Sequence, residues 1–378
     1  MQSRSLCRTR AIRFSIHAVA ALILLVLSAS SSFGQCKADF PLEPGKPMGW
    51  QGGDAAYSIP LPDGRDVWIF GDTLYGPDRS VTGHDPRQVH NSLGISTCEH
   101  GKWSLRYAIK RGATGNAISY FSPADPQHWY WALDGFYANG DLWVTLLCIR
   151  HPAKAQPWAM DFETCGSDLA QVSHLERDPQ DWHVTIRPLV ADGVGAYPSA
   201  STVVEGNYAY LFALYEHGNR PLLATRIPLK GLEAPAANLE YLAADGTWKY
   251  GFDPAKAKEV MARGITELSI RYHPALHQWR AVMFDPSIFS DKIILRTAPS
   301  LTGPWTEGDV LYRVPEMQAG PTRDKNVFCY AAKEHPELET HDNVTFTYVC
   351  NTMDVPGLVK NLDIYHPKVI TVAGGSAR

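Results

Sequence analysis

The chain has 378 residues, 45% of them hydrophobic, 11% aromatic and 20% charged, with a formal net charge of -4, which is enough apolar material for a large buried core and excludes a globally disordered protein. A mildly acidic balance without a basic block excludes a nucleic-acid partner, because that binding rests on Lys and Arg neutralising phosphates. There are no heptads, no Walker loop and no GxGxxG following a strand, so coiled-coil, nucleotide and dinucleotide readings fall away and no organic cofactor is expected.

Residues 1–34 are a different material from the rest. Arg4, Arg8, Arg10 and Arg13 precede the apolar run Ala18 to Leu27, and small residues fill Ser28 to Gly34. This is the pattern of a secretory signal peptide, with cleavage expected after Gly34. The run is shorter than the about 20 residues a membrane span needs, and Gln35 is a poor neighbour for lipidation of Cys36. The expected product is a single domain over residues 35–378, periplasmic or secreted, monomeric and without a membrane span. Removing Cys7 leaves Cys36, Cys98, Cys148, Cys165, Cys329 and Cys350, an even set that in an exported chain points to disulfides. Cys329 and Cys350 sit in neighbouring strand-like segments, Cys148 and Cys165 flank one excursion, and Cys36 with Cys98 would then tie down the N-terminal arm.

The stretch Gly52 to Leu74 reads as a β-hairpin. Two apolar runs flank Pro62-Asp63-Gly64, which supplies Pro and Asp for a type I turn and Gly where φ turns positive. Pairing Leu61 with Arg65 carries Asp54 directly opposite Asp72 on one face. Like charges so placed destabilise a sheet, so a purely structural hairpin would avoid them. Two close carboxylates cannot both ionise cheaply, and the pair can divide acid and base roles, which is the chemistry of glycoside cleavage. Direct opposition leans towards the about 5–5.5 Å spacing of a retaining pair, although Gly52 and Gly53 invite a bulge that would splay the two acids.

Strands Asn91 to Thr97 and Trp103 to Ala108 complete a four-stranded meander, and the pattern then returns. Trp129 to Asp134, Leu142 to Arg150, Leu169 to His174 and Trp182 to Pro188 form a second set. Ser199 to Val204, Tyr208 to Tyr215, Leu222 to Ile227 and Leu239 to Leu242 form a third. Leu268 to Tyr272, Trp279 to Phe284, Lys292 to Thr297 and Val310 to Arg313 form a fourth. The last set, Phe328 to Ala331, Val344 to Cys350 and Pro367 to Val372, is one strand short, and the arm after Cys36 is expected to supply the missing one. The sets recur at roughly 60–75 residues, the pattern of an all-β, five-bladed β-propeller with four-stranded antiparallel blades. Strands such as Val67-Trp68-Ile69-Phe70 are apolar on both faces, as a blade packed between two neighbours requires. Ala255 to Arg263 is predicted to be a helix on the rim.

The first strand of each propeller blade lines the central channel, so polar residues there converge on one pocket. Asp54, Asp72, Asp134, Tyr197, Ser199, Glu267, Glu334 and His335 are therefore the candidates. Asp54, Asp72 and Glu267 are assigned to catalysis, and Asp134, Tyr197, Ser199 and His335, together with Asn91 of the Asn91-Ser92 pair, to substrate binding. Glu240 and Glu316 are expected to face solvent. His273 and His277 have the i, i+4 spacing of a zinc pair, but Pro274 forbids the helix on which that spacing works, and no metal ligands are assigned from the sequence. A structural cation in the central channel is compatible with the acids there.

Gly53-Asp54, Trp68-Ile69-Phe70-Gly71-Asp72-Thr73, Asn91-Ser92, Ala298-Pro299-Ser300-Leu301-Thr302-Gly303-Pro304-Trp305 and His335-Pro336-Glu337-Leu338 together resemble a bacterial family long described as a domain of unknown function, over about Asp54 to Val372. Some members of that family are endo-D-arabinanases acting on mycobacterial cell-wall arabinan. The resemblance implies a five-bladed propeller, a polysaccharide or oligosaccharide substrate, and Asp54 and Asp72 as the catalytic pair. It assigns no role to Glu267. The expected function is an exported glycoside hydrolase cleaving furanosidic linkages, with arabinan as the substrate. The alternative is a non-catalytic carbohydrate-binding propeller of the cell envelope.

Overall fold

In a computed structural model, which describes residues 36, 49–76, 87–154, 161–320, 323–339, 343–354, 358 and 363–373, the Pro62-Asp63-Gly64 turn closes as its residues dictate. Leu61 N donates to Arg65 O at 2.8 Å, Gly64 N donates to Leu61 O at 3.1 Å, and Gly64 takes a φ of 85°. The turn joins β1 (Gly49–Pro60) to β2 (Arg65–Gly76), and β3 (Arg87–Val89), β4 (Ser92–Glu99) and β5 (Lys102–Ala108) complete the first sheet in the order β1-β2-β4-β5, with β3 on the end of β2.

Four further antiparallel sheets follow in chain order. The second is β6 (His128–Ala138), β7 (Asp141–Arg150), β8 (Glu163–Ser173) and β9 (His183–Val190). The third runs β10 (Ala196–Glu205), β11 (Tyr208–Tyr215), β12 (Leu222–Pro228), β13 (Glu240–Leu242) and β14 (Trp248–Tyr250), with β15 (Glu259–Met261) on β12. The fourth is β16 (Leu268–His273), β17 (Gln278–Phe284), β18 (Lys292–Ala298) and β19 (Asp309–Arg313), and the fifth is β20 (Val327–Glu334), β21 (Asn343–Thr352) and β22 (Lys368–Ala373). The chain is a five-bladed β-propeller whose innermost strands are β1, β6, β10, β16 and β20, packed against one another around the ring.

Hydrophobic clusters lie between blades rather than within them. Val67, Ile69 and Leu93 of the first blade meet Leu142, Val144 and Leu146 of the second. Phe212 and Leu222 of the third meet Leu268 and Met283 of the fourth, and Phe284 of the fourth meets Phe346 and Tyr348 of the fifth. That is why the strands carry apolar residues on both faces. Each such side chain, fully buried, contributes about 1.5–3 kcal/mol. Trp68 is fully buried and keeps its indole N–H satisfied by Ser96 Oγ at 2.9 Å, which in turn donates to Asp66 at 3.0 Å.

The ring closes between the first and last blades. β1 packs on β20 and β21, and Thr347 Oγ1 donates to Ala56 O at 3.2 Å. Three strands of the fifth blade are described; the arm expected to supply a fourth, and the signal peptide, lie outside the described residues apart from Cys36. Three disulfides form with the expected pairing: Cys36–Cys98, Cys148–Cys165 and Cys329–Cys350. No helix among the described residues is long and apolar enough to cross a membrane.

Two local expectations fail. Ala255 to Arg263 is not helical: it holds a 3-10 turn, Pro254–Lys256, and then β15, because Val260 and Met261 bury themselves against the edge of β12, and that burial outweighs the helix propensity of the flanking Ala and Lys. Glu240 does not face solvent. It is 8% exposed, and its carboxylate is held at 2.7 Å by the Arg226 guanidinium, which itself lies over the rings of Tyr208 and Trp248.

Candidate active site

The register of the first hairpin follows the turn as far as Tyr57↔Ile69 and then breaks. Ala55 pairs with Phe70 and Gly53 with Thr73, with irregularities on both sides of Ala55. Ala55 and Ala56 take φ values of 67° and 64°, a left-handed conformation that costs an alanine about 1–2 kcal/mol per residue. Direct opposition of Asp54 and Asp72 is therefore replaced by a bulge. Strain of this kind persists only where the surroundings enforce it. Here Gly53 N donates to Tyr365 O at 3.2 Å, and a Cβ on Gly52 would come within 2.6 Å of that carbonyl. The Tyr365 hydroxyl meanwhile donates to Asp72 O at 2.8 Å.

The bulge delivers both acids to one cavity of about 1250 Å³, lined by Asp54, Asp72, His90, Trp129, Trp131, His151, Phe162, Glu267, Phe328 and Tyr330 among others. The Asp54 side chain lies over Gly71, where a Cβ would collide with its Oδ1. Tyr330 donates to Asp54 Oδ2 at 2.8 Å, and Asn351 Nδ2 stands 3.4 Å from the same hydroxyl. Burial, then the charge of Asp72, then that of Glu267 push the Asp54 carboxyl well above the usual carboxylate range, and the Tyr330 hydrogen bond offsets only part of this. Asp72 Oδ1 lies 3.0 Å from His90 Nδ1, partly open to the cavity.

Glu267, immediately before β16, completes the group of acids from across the ring. Tyr57 donates to its Oε1 at 2.7 Å. Burial raises its carboxyl, while the Tyr57 hydrogen bond and the charge of Lys333 hold it down. Lys333, itself 1% exposed, places its ammonium where innermost strands converge: it donates to Leu133 O, lies 3.5 Å from Asp134 Oδ2 and 4.0 Å from the centre of the Tyr57 ring. Desolvation lowers the Lys333 pKa to about 8. One wall of the cavity is aromatic. Trp129 stacks on His90 with ring centres 4.9 Å apart and meets His151 at 5.0 Å, and Trp131 meets Phe162 edge-on at 4.7 Å.

Of the eight sequence-predicted site residues, Asp54, Asp72 and Glu267 line the cavity and the other five do not. Asn91 is fully buried and locks the first blade to the second, donating to Phe121 O and Tyr130 O and accepting from Phe121 N. Asp134 is also fully buried. Although burial alone would raise its carboxyl, Lys333 and Arg271, with the amides of Thr202 and Gly135, hold it below the usual range. The Tyr197 hydroxyl accepts from Gly193 N, and Ser199 Oγ donates to Tyr197 O. His335 is 1% exposed, stacked on Trp68 and bonded to Ser58 and Thr347. Glu334 is buried at the opposite end of β20. The shared reason is the alternation of side chains along a strand: a residue on an innermost strand reaches the channel or the gap between blades according to its parity and depth, and irregularities between Ala132 and Asp134, Pro198 and Ser201, and Tyr330 and Lys333 re-aim the side chains there.

The residues that sequence reasoning missed are Tyr57, His90, Tyr330, Asn351 and Tyr365, which orient the acids, and Trp129 and Trp131, which wall the cavity. His90 directly precedes the Asn91-Ser92 motif, and Tyr57 sits three residues after Asp54, so both were within reach of the motifs. Tyr330 and Tyr365 were not, since nothing local ties them to Asp54.

Solved structures are similar to the chain at low identity. A Bacteroides ovatus protein provisionally described as a hydrolase matches at 17% identity and a TM-score of 0.66, covering 86% of each chain. An exo-1,5-α-L-arabinanase from a bovine ruminal metagenomic library matches at 11% and 0.45, covering 86% of this chain and 94% of that one. A GH43_1 enzyme from Xanthomonas citri, complexed with xylose, matches at 12% and 0.47, over 86% and 88%. No curated protein matches the sequence. Residues 45–374, nearly the whole propeller, match one sequence family, and the chain accordingly belongs to the family described as Domain of unknown function (DUF5005).

Proposed function

We propose that the protein is a glycoside hydrolase that cleaves furanosidic linkages in an arabinan, with Asp54 and Asp72 as the catalytic pair. The observation that carries this reading is the pairing of two unlike carboxyl environments in one cavity. Asp54 is buried, bonded to Tyr330 and biased towards its protonated form, whereas Asp72 is partly open and lies 3.0 Å from the His90 imidazole. Such a pair has the division of labour that glycoside cleavage needs. In this reading Asp54 gives its proton to the leaving oxygen as the C1–O bond breaks. Asp72 either takes a proton from the water attacking C1 or itself attacks C1. Glu267, held by Tyr57, contacts sugar hydroxyls from the opposite side of the cavity. The aromatic wall of Trp129 and Trp131 suits the apolar faces of sugar rings, whose C–H groups pack on indoles while their hydroxyls reach the acids.

Arabinan is favoured because the Gly-Gly-Asp and Phe-Gly-Asp-Thr segments that carry both acids are those in which the sequence resembles endo-D-arabinanases. The N-terminal signal pattern and the disulfides support action outside the cytoplasm; the substrate in this reading is a polysaccharide and the acting form a monomer. Reducing-end release from a panel of D- and L-arabinans tests the reading, with Asp54→Asn as control. Release by the parent and none by the variant is the expected result. Tight arabinan binding without release by the parent would instead identify a carbohydrate-binding propeller.

A further inference from the structure

A second polar cluster lies at the other end of the fourth and fifth blades. β16 starts beside the cavity after Glu267 and ends at His273, about 20 Å along the strand; β20 carries Tyr330 at the cavity and ends at Glu334. Glu334 N donates to Ser269 Oγ at 2.9 Å, clamping the two strands together. The Glu334 side chain is fully buried and its Oε1 lies 3.1 Å from His273 Nε2. Apart from each other and the neighbouring Glu339 carboxyl, the Glu334 oxygens and His273 Nε2 have no hydrogen-bond partner among the described residues. Glu339 follows the short 3-10 turn Pro336–Leu338 and faces the same point, anchored by an Oε1 that accepts from Thr345 N at 3.1 Å. One donor atom from each of His273, Glu334 and Glu339 falls within 4.8 Å of the other two.

This arrangement is expensive as it stands. A buried carboxylate without hydrogen bonds costs several kcal/mol, and here a second carboxylate adds repulsion. Arg280, buried on β17, lowers the cost at Glu339 but leaves two buried acids and an imidazole converging on one point. We propose that His273, Glu334 and Glu339 bind a divalent first-row transition cation, with Zn²⁺ as its representative, that pins the fourth blade to the fifth. Metal–ligand bonds of about 2.0–2.2 Å in a tetrahedral site place ligand atoms roughly 3.3–3.6 Å apart, close to the observed His273–Glu334 separation. One imidazole with two carboxylates is a nitrogen and oxygen set suited to such metals, whereas Ca²⁺ takes six to eight oxygens. The ligands come from two blades, so the metal adds a cross-link that neither blade contains alone. His277, the other half of the His-x-x-x-His spacing, has no part: it ends the 3-10 turn Pro274–Leu276 in a left-handed conformation.

The test uses the full mature protein, untagged, stripped with a chelator and dialysed. Titration with ZnCl2 by calorimetry should give one equivalent bound, and Zn²⁺ should raise the Tm. His273→Gln and Glu334→Gln should each weaken Zn²⁺ binding at least about tenfold, the scale on which even supporting groups act, while Asp54→Asn leaves it unchanged. Glu334→Gln should also raise the metal-free Tm by relieving repulsion, and if that variant does not fold, the His273→Gln titration decides. Absence of Zn²⁺ binding to the stripped parent, unchanged binding by His273→Gln, or binding of CaCl2 in preference to ZnCl2 would each overturn the proposal.

Discussion

Tyr57 donates a 2.7 Å hydrogen bond to Glu267 across the ring, so the innermost strand of the first blade holds the acid that precedes the innermost strand of the fourth. Tyr57 itself is 1% exposed and lies under the Lys333 ammonium, which fixes its ring and therefore the direction of the bond. The hydrogen bond stabilises the ionised carboxylate. Tyr57→Phe removes it, so the Glu267 pKa should rise further and any pH–rate limb governed by Glu267 should move to higher pH. Loss of one such bond costs roughly 1–3 kcal/mol of stability, so the Tm should drop by only a few degrees. A pH–rate profile identical to the parent's would show that Glu267 does not titrate in the reaction.

Asp54→Asn and Asp72→Asn should each abolish hydrolysis. The sign of the stability effect follows from the raised Asp54 pKa. The native state holds the Asp54 proton more tightly than the unfolded chain, so its contribution is full below the unfolded value of about 3.9 and is lost as pH rises through the folded pKa. Asparagine has no charge to lose, and its amide oxygen can still accept from Tyr330. Asp54→Asn should therefore melt at or above the parent's temperature at pH 7, with the difference shrinking towards pH 4. Thermal unfolding at the two pH values checks this, and a large loss of stability at pH 7 would make Asp54 a structural residue.

Gly71→Ala should inactivate the protein while leaving it folded. Its φ is not in the left-handed region, so alanine is sterically acceptable to the backbone, but the new methyl would collide with Asp54 Oδ1. Displacing a catalytic carboxyl by about 1 Å can cost on the order of 10²-fold in rate. Turnover within tenfold of the parent would show that the position of Asp54 over Gly71 is unimportant.

The Cys148–Cys165 disulfide closes a short excursion at the cavity wall, bridging β7 and β8 beside Arg150, Glu163 and Thr164. Removing it should cost about 3 kcal/mol by the loop-entropy argument. Because the freed segment carries Phe162, which packs on Trp131, the Cys148→Ser/Cys165→Ser pair should raise KM for long substrates more than it changes kcat. Mass mapping of the parent without reductant should find all three disulfides.

Lys333 gives a pH signature of the opposite sign to Asp54. Its pKa falls from 10.5 to about 8 in the folded state, so between these values the unfolded chain holds a proton that the native state has released, and stability contributed by this group rises with pH across that window. Urea unfolding at pH 7.5 and 9.5 should show the rise in the parent and its loss in Lys333→Met. The variant should also be about 3–5 kcal/mol less stable at pH 7.5, because Asp134 is left buried against Arg271 alone.

The amino-acid sequence alone determined the repeat of four-stranded units, the two-faced apolar strands that pack as blades, the three cysteine pairs, the turn that starts the first hairpin, and three acids of the cavity. Each of these rests on short-range information: turn geometry, side-chain alternation, cysteine parity. The tertiary structure decided the rest. Whether Asp134, Ser199 or His335 reaches the channel depends on bulges that insert one residue before Asp134, two at Ser199 and Ala200, and one before Lys333, and the energies that place a bulge come from neighbouring blades. Asp54 and Asp72 reach one cavity through a strained bulge whose left-handed alanines are held by Tyr365, about 310 residues further along the chain. Tyr330 and Tyr57, which hydrogen-bond Asp54 and Glu267, are likewise supplied by other blades, Tyr330 from the fifth to the first and Tyr57 from the first to the fourth, where only folding brings them within reach.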